Sequence, residues 1–184
     1  CDNKEDKLIK KQIKKIDNIV EQMLFYARSD SVEKDYFVKK VLLEDVVHTA
    51  IMNYMVSLIQ KKISLDVYNL ENYVYIDEKW ITFIICQVLQ NSIKYLNKPE
   101  KVIKIHSENN KNNVVLVIED NGEGILDHDL PRVFEYGFTG TDRQKQYSTG
   151  IGLYLCKKLC NKMNLYKKFT KVKIIFPKTN LYRQ

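Results

Sequence analysis

The chain has 184 residues, of which 45% are hydrophobic and 29% are charged, and its 30 Lys and Arg against 23 Asp and Glu give a net charge of +7. The length excludes two large domains, and the low Gly and Pro content excludes a long disordered or repetitive segment. The positive charge suits a phosphorylated ligand, a polyanion or an anionic membrane surface, although lysine-rich solvated helices explain it equally well. The twelve Tyr residues are scattered, without the basic and aromatic interleaving of RNA-binding sheets, so we predict no nucleic-acid binding.

The first predicted element is a helix with an apolar seam. Its apolar residues recur in alternating steps of four and three, which is a heptad pattern. They are Ile9, Ile13, Ile16, Val20, Met23 and Ala27. This seam favours a contact between helices of a dimer over a lone surface helix. The polar run RSDSVEKD at 28–35 predicts the end of the helix and a linker.

The remaining elements mix helices and strands without strict βαβ alternation. The patterns predict a helix over 41–62, strands over 63–68 and 73–76, a helix over 78–96 capped by Asp77, a hairpin of strands over 101–107 and 113–120, a polar loop over 126–149, a helix over 152–163 and a strand over 171–176. This order predicts the α+β class, as a two-layer α/β sandwich with helices on one face of the sheet.

The helix over 78–96 carries a polar stripe. On a helical wheel Gln87, Asn91 and Lys94 share one side, and Ile85, Val88, Ser92 and Leu96 lie toward the core. Such a stripe is usually a solvated face. In the alternative reading, Asn91 offers a carbonyl oxygen to Mg²⁺ and Lys94 offers a charge to phosphate.

Two glycine-rich segments follow apolar elements. In IEDNGEGI, Asp120 ends a buried strand and can accept a hydrogen bond from an exocyclic amine, while Gly122 and Gly124 let the backbone turn and approach a ligand. In STGIGL, Gly150 and Gly152 precede a helix, where free amides bind anions. Each segment alone is also compatible with an ordinary turn.

The four segments QVLQNSIKY, EDNGEGI, RVFEYGFTG and STGIGL occur in one order. In that order they resemble the N box, first glycine box, F box and second glycine box of sensor histidine kinases. The segment from Ile16 to Val47 resembles the second dimerisation helix and linker of short Gram-positive kinases that sense antimicrobial peptides together with transporters. The resemblance implies the Bergerat ATP-binding fold, shared with gyrase, Hsp90 and MutL ATPases, preceded by a dimerisation helix.

The resemblance also implies roles for individual residues. Asn91 is similar to the Mg²⁺-coordinating Asn and Lys94 to the phosphate-side residue, and these two are the expected catalytic residues. Asp120 is similar to the carboxylate that reads adenine. The remaining expected ATP contacts are Tyr95, Gly122, Gly124, the F-box aromatics Phe134 and Phe138, Gly150, Gly152 and Leu153.

The sequence departs from the family pattern in three places. Gln87 stands where hydrolysing relatives have a Glu that activates water, and an amide cannot take that proton, so Gln87 favours phosphoryl transfer over hydrolysis. None of His48, His106 and His128 has the context of the family's phosphorylated His, so we expect that residue on a helix upstream of Cys1. The segment after the last helix is shorter than the family implies, and we expect residues to be missing near 165–169 and near 143–148.

These inferences combine into one functional hypothesis. Residues 1–35 are expected to be the end of a dimerisation helix with its linker, and residues 36–184 the catalytic domain, which binds Mg·ATP and phosphorylates a His for relay to a response regulator. The alternatives are a hydrolysing ATPase of this fold and an inactive nucleotide-binding adaptor. The resemblance implies a homodimer, a transporter partner and a cytoplasmic domain of a cell-membrane protein. The four Cys residues, which lack disulfide or zinc spacing, fit a reduced compartment.

Overall fold

The computed structural model describes residues 4–29, 36–140, 149–163, 165–168 and 172–178. In chain order the elements are α1 Lys4–Ser29, β1 Lys39–Leu42, α2 Leu43–Gln60, β2 Ile63–Tyr68, β3 Tyr73–Ile76, α3 Glu78–Tyr95, β4 Lys101–Asn109, β5 Asn113–Asp120, α4 Gly152–Lys162, β6 Tyr166–Lys168 and β7 Val172–Pro177. The predicted first helix, both strands before Asp77, the capped helix and the hairpin are confirmed. The predicted linker covers 28–35; its first two residues, Arg28 and Ser29, still belong to α1, and residues 30–35 lie outside the described residues.

The main sheet has five strands in the order β2-β4-β5-β7-β6. β2 runs parallel to β4, and the other neighbours are antiparallel. The central strand β5 is buried on both faces from Val114 to Ile118, which explains its continuous apolar run. The β4–β5 register pairs Ile103 with Asp120, so the chain leaves β5 beside the start of β4. The predicted α+β sandwich is confirmed.

The second helix starts later than predicted. Residues 39–42 form β1, which pairs antiparallel with β3, and α2 begins at Leu43. The periodicity of the segment is helical, but pairing with a distant strand overrides it, as tertiary contacts often do. The amides of Leu43 and Glu44 donate to the carbonyls of Asn72 and Leu70, 3.0 and 3.2 Å away. These bonds satisfy two amides of the first turn, which has no side-chain cap.

The helix α1 packs on the rest of the protein through its C-terminal turns. The ring of Phe25 stacks on Phe83 with centroids 3.9 Å apart and meets Trp80 edge-on at 5.2 Å. The predicted seam faces away from this contact, since all six of its residues are exposed. The described helices include none with the length and hydropathy of a membrane-spanning segment.

The C-terminal strands form a short antiparallel pair. Lys168 of β6 is opposite Lys173 of β7, so the predicted last strand, β7, pairs with a strand that was not predicted from the sequence. Of the two places where missing residues were expected, 143–148 lies wholly outside the described residues, whereas residues 165–168 of the second place are described.

Candidate nucleotide-binding site

The carboxylate of Asp120 is oriented from two sides. Its Oδ2 accepts a hydrogen bond from the Ser92 hydroxyl at 2.7 Å, and its Oδ1 accepts one from the Gly122 amide at 2.9 Å. Asp120 is itself exposed. Each carboxylate oxygen has capacity for a further bond, so Asp120 is a fixed acceptor that faces solvent at the end of β5.

Ser92 was not among the predicted site residues, because the wheel placed it toward the core. That placement is right, since Ser92 is 6% exposed. A buried hydroxyl requires a hydrogen-bond partner. Its position directly after Asn91, on the core side of a helix that also carries candidate ligands, is the signal that could have linked it to a carboxylate.

The turn after Asp120 is built for close packing. A Cβ on Gly122 would lie 2.7 Å from Asp120 Oδ1 and 3.5 Å from the carbonyl oxygen of Tyr95. Gly124 has a φ of +76° and nothing within 4 Å of a Cβ position, so only its backbone conformation favours glycine. The turn therefore brings the first glycine segment against the end of α3.

Asn121 fastens this turn to β4. Its Oδ1 accepts from the amide of Val102 at 3.0 Å, its Nδ2 donates to the carbonyl of Glu100 at 2.9 Å, and its own amide donates to the Val102 carbonyl at 3.2 Å. No specific role was predicted for Asn121 from the sequence. The structure shows that it holds the loop in place beside Asp120.

The polar stripe of α3 is only partly a solvated face. Asn91 and Lys94 are half-buried, and the Lys94 ammonium lies 5.0 Å from the centroid of the Tyr95 ring. Gln87 is 6% exposed, so its predicted place opposite the core is wrong. The helices α1 and α4 cover the end of the stripe that contains Gln87. The Oε1 atom of Gln87 accepts a 3.0 Å hydrogen bond from Gln22 Nε2.

The second glycine segment packs against the loop of the F box. Gly150 has a φ of +68°, and a Cβ there would lie 2.3 Å from the carbonyl carbon of Gly137. The Gly137 amide donates to the Gly150 carbonyl at 3.2 Å. This contact needs glycine at position 150 for both space and conformation.

The next glycine opens α4. A Cβ on Gly152 would lie 2.5 Å from Gln87 Oε1, and the N-cap residue Ile151 provides no side-chain hydrogen bond to the helix. Leu153, one residue further, is half-buried. An uncapped helix start beside Gln87 is compatible with the predicted phosphate contact.

The two F-box aromatics are half-buried and carry cations on their faces. The guanidinium of Arg132 lies 4.6 Å from the Phe138 ring centroid, and the Lys157 ammonium lies 6.0 Å from that of Phe134. Neither ring is buried, whereas Val133 beside them is 7% exposed. The F-box loop therefore buries Val133 and leaves both Phe rings near the surface.

A cavity of about 890 Å³ lies elsewhere in the described part of the chain. Residues of α1, α2 and α3 line it, and none of the residues assigned to the nucleotide is among them. Over the described ranges, no group of three or more His, Cys, Asp and Glu side chains is arranged to hold a metal ion. A metal at this site would depend on an amide oxygen such as that of Asn91 and on oxygens of its ligand.

The three His residues are dispersed. His48 lies on α2, His106 lies on β4 with its ring stacked 4.8 Å from Tyr68, and His128 lies in the loop after β5. The expectation that the phosphorylated His lies on a helix upstream of Cys1 stays a prediction.

Comparison with protein families decides the class. A family described as histidine kinase-, DNA gyrase B- and HSP90-like ATPases matches residues 76–180, more than half of the chain. The chain belongs to this ATPase family. The matched region of this ATPase domain contains every residue to which a nucleotide role was assigned, and the family implies ATP binding.

Individual relatives of this ATPase domain are sensor kinases. It is 38% identical to the sensor protein BceS of Halalkalibacterium halodurans over 163 residues, which cover 86% of this chain and 48% of that protein. It is 35% identical to the sensor protein kinase GraS of Staphylococcus aureus, over 90% of this chain and 50% of the relative. The chain thus spans about half the length of these relatives. They confirm the prediction of a sensor histidine kinase catalytic domain.

Solved structures confirm the fold. The mycobacterial sensor histidine kinase MprB covers 76% of this ATPase domain with a TM-score of 0.65 and 20% identity, and 97% of that chain is matched. The histidine kinase ThkA, in a complex with the response regulator protein TrrA, covers 98% of this chain with a TM-score of 0.70 and 20% identity, and 52% of that chain is matched.

Proposed function

We propose that this domain binds Mg·ATP, and that the protein containing it transfers the γ-phosphoryl group to a His on an upstream helix and from there to an Asp of a response regulator. The observation that supports this most directly is the exposed Asp120 carboxylate, which Ser92 and Gly122 hold in one orientation. A fixed acceptor at a strand end suits the exocyclic amine of adenine.

The neighbouring residues receive complementary roles. Gly122 and Gly124 let the backbone pass close to the base, and Tyr95 lies beside them. The half-buried Asn91 supplies an oxygen for Mg²⁺, and Lys94 supplies positive charge for phosphate. When bound, Mg²⁺ neutralises charge on the phosphate oxygens. Gly150, Gly152 and Leu153 offer backbone amides at the start of α4, and Phe134 and Phe138 form part of a cover over the nucleotide.

The side chain of Gln87 favours phosphoryl transfer over hydrolysis of ATP. An amide does not act as a general base, and here its oxygen already accepts a hydrogen bond from Gln22. We therefore propose that the domain positions ATP for transfer and hydrolyses it slowly. Steady phosphate release by the isolated domain at a rate matching its full-length kinase activity would favour the hydrolysing ATPase instead.

The larger assembly is part of the same proposal. Residues 1–35 would be the end of a dimerisation helix with its linker, and residues 36–184 the catalytic domain. The exposed seam of α1 supports a homodimer, because Ile9, Ile13 and Ile16 are more than half exposed. The likeness to sensor kinases supports a response-regulator partner and attachment to the cell membrane through another part of the protein. A transporter partner follows only from the sequence resemblance.

The test of nucleotide binding is calorimetry with Mg·ADP and Mg·ATP. Asp120→Asn is expected to weaken binding by about 10-fold, because a neutral amide is a weaker acceptor than a carboxylate. Asp66→Asn on the edge strand β2 is the matched control and should bind like the wild type. Equal affinities of Asp120→Asn and the wild type would refute the adenine role.

The test of transfer needs the full-length protein. Asn91→Asp is expected to suppress labelling of the protein from γ-labelled ATP, because it alters the proposed metal ligand. Unchanged labelling would refute that role, and absence of labelling in the wild type would favour the inactive adaptor.

A further inference from the structure

The burial pattern of α1 around Gln22 is the reverse of the usual one, because the polar side chain is buried and its apolar neighbours are exposed. Gln22 is 6% exposed, whereas its apolar neighbours Val20, Met23 and Leu24 are 52%, 40% and 52% exposed. Burial of a primary amide is unfavourable unless its donor and acceptor are both satisfied. The position of Gln22 therefore has to be explained by specific hydrogen bonds rather than by burial of apolar surface.

Two such bonds join α1 to two predicted nucleotide segments. Gln22 Nε2 donates to Gln87 Oε1 on α3 at 3.0 Å, and Gln22 Oε1 accepts from the Thr149 hydroxyl at 2.9 Å. Thr149 Oγ1 in turn accepts from the amide of Ile151 at 3.3 Å, directly before α4. A continuous chain of hydrogen bonds thus runs from α3 through α1 to the start of α4.

The contact between the side chains of Gln22 and Gln87 also limits the position of the first turn of α4. A Cβ on Gly152 would lie 2.5 Å from Gln87 Oε1 and 3.5 Å from Gln22 Nε2. The two glutamine side chains therefore form the surface against which the second glycine segment rests. A change in either amide would alter the position that this segment can adopt.

A second contact lies one helical turn along α1, on the same face. The ring of Tyr26 is 6.0 Å from Tyr136 in the F-box loop and 6.3 Å from Tyr154 on α4, and these two rings meet edge-on at 5.3 Å. The Lys158 ammonium lies 4.8 Å from the Tyr26 ring centroid. The C-terminal turns of α1 therefore contact both the loop and the helix assigned to the nucleotide.

We propose that Gln22 is a positioning residue that couples the docking of α1 to nucleotide binding. When α1 is docked, Gln22 holds Thr149 and Gln87 so that the second glycine segment is already arranged for phosphate. Because coupling between two sites is reciprocal, bound nucleotide then stabilises the docked α1 to the same extent. This inference rests on the proposed nucleotide site.

The test compares Gln22→Met with the wild type in the 184-residue chain. Methionine has nearly the same volume as glutamine and removes both hydrogen bonds, which separates packing from hydrogen bonding. We expect Mg·ADP to bind about 3- to 10-fold more weakly to Gln22→Met, which corresponds to the usual net contribution of one or two buried hydrogen bonds. Gln60→Met, at an exposed position of α2, is the matched control and should bind like the wild type.

Hydrogen exchange supplies a readout that a purely structural role would not change. Saturating Mg·ADP should slow amide exchange at positions 20–28 of α1 in the wild type and in Gln60→Met, and should have little effect there in Gln22→Met. Gln87→Met, which removes only the bond between the two glutamines, should weaken binding no more than Gln22→Met, and the double variant should be no weaker than Gln22→Met, since Gln22→Met already lacks that bond.

The outcomes separate this inference from the proposed function. If the wild type binds no nucleotide, both fail. If Asp120→Asn weakens binding while Gln22→Met binds and protects α1 like the wild type, the nucleotide site stands and the coupling through Gln22 is refuted. Additive effects of Gln22→Met and Gln87→Met would also refute it.

Discussion

The hydroxyl of Ser92 on α3 donates a 2.7 Å hydrogen bond to Oδ2 of Asp120 at the end of β5. This single bond joins the helix that carries Asn91 and Lys94 to the strand that carries the exposed carboxylate. The two segments are 28 residues apart in the chain. Their alignment at the candidate site therefore depends on how α3 packs over the sheet.

Removing that hydroxyl should weaken nucleotide binding. Ser92→Ala leaves Asp120 with only the Gly122 amide to orient it, and we expect about a 5-fold loss of Mg·ADP affinity by calorimetry, since one charge-assisted hydrogen bond is lost. Ser64→Ala, at an exposed position of β2, is the control and should have no effect. An unchanged affinity in Ser92→Ala would show that the orientation of Asp120 does not depend on Ser92.

The glycines at 150 and 124 should respond differently to alanine. Both have positive φ, which costs a non-glycine residue about 1–2 kcal/mol. A Cβ at 150 would in addition meet the backbone of Gly137, whereas a Cβ at 124 would meet nothing within 4 Å. Urea unfolding should show a larger loss of stability for Gly150→Ala than for Gly124→Ala, and equal losses would contradict the packing of the F-box loop on Gly150.

The buried Asp77 connects the start of α3 to the segment before β1. Its Oδ1 accepts from the amides of Lys79 and Trp80 at 3.0 and 3.3 Å, and its Oδ2 accepts from the amide of Phe37 at 2.8 Å. We expect Asp77→Ala to lower the free energy of unfolding by about 2 kcal/mol, since it removes an N-cap and a further hydrogen bond.

Two comparisons check the assignment of these bonds to Asp77. Asp77→Asn keeps one acceptor oxygen and should lower the free energy of unfolding by less than Asp77→Ala. Asp66→Ala, which removes only an exposed ion pair 3.9 Å long, should have little effect. A cost of Asp77→Ala no greater than that of Asp66→Ala would rule out the cap as a source of stability.

The thiol of Cys86 should react at higher pH than an exposed thiol. Burial raises its pKa above the ordinary value for a thiol, the hydrogen bond from Asn53 at 3.5 Å opposes this shift, and the charge of Glu21 adds to it. The folded protein therefore favours the neutral thiol, and the resulting stability is present below the ordinary thiol pKa and is lost as pH rises through the raised one.

Alkylation by iodoacetamide, followed peptide by peptide with mass spectrometry, measures this shift because the thiolate is the reactive form. The midpoint for Cys86 should lie above that of a cysteine introduced at the exposed position 64 by Ser64→Cys, and Glu21→Gln should lower it. A midpoint at or below the reference would contradict the buried environment of Cys86.

Local patterns were sufficient for the elements whose contacts are local or regular. Asp77 was predicted as a cap from its position before the helix. The run of five apolar residues from Val114 to Ile118 in β5 was predicted as a strand. The candidate residues Asp120, Gly122 and Gly150 were also found from the sequence, because acids and glycines at the ends of apolar elements indicate tight turns in which the backbone can approach a partner closely. Their nucleotide roles remain predictions that the experiments above test.

The predictions that were wrong or incomplete depend on contacts between distant segments. Val41 and Leu42 were predicted as the start of a helix but belong to β1, because β3 offers an antiparallel partner. Gln87 was placed on a solvated face but is buried, because α1 brings Gln22 against it across 65 residues of sequence. A wheel drawn for one helix contains no information about which other helix will cover it.

The sequence by itself determined the class of this protein, since hydrophobic periodicity sets the elements and the order of four short motifs specifies an ATP-binding domain. Only the tertiary structure decided that Ser92 orients Asp120, that Asn121 holds the turn, and that Gln22 lies buried between α3 and the second glycine segment. The physical reason is that a buried polar group must find its hydrogen-bond partner in three dimensions, and that partner is fixed by the packing of whole elements.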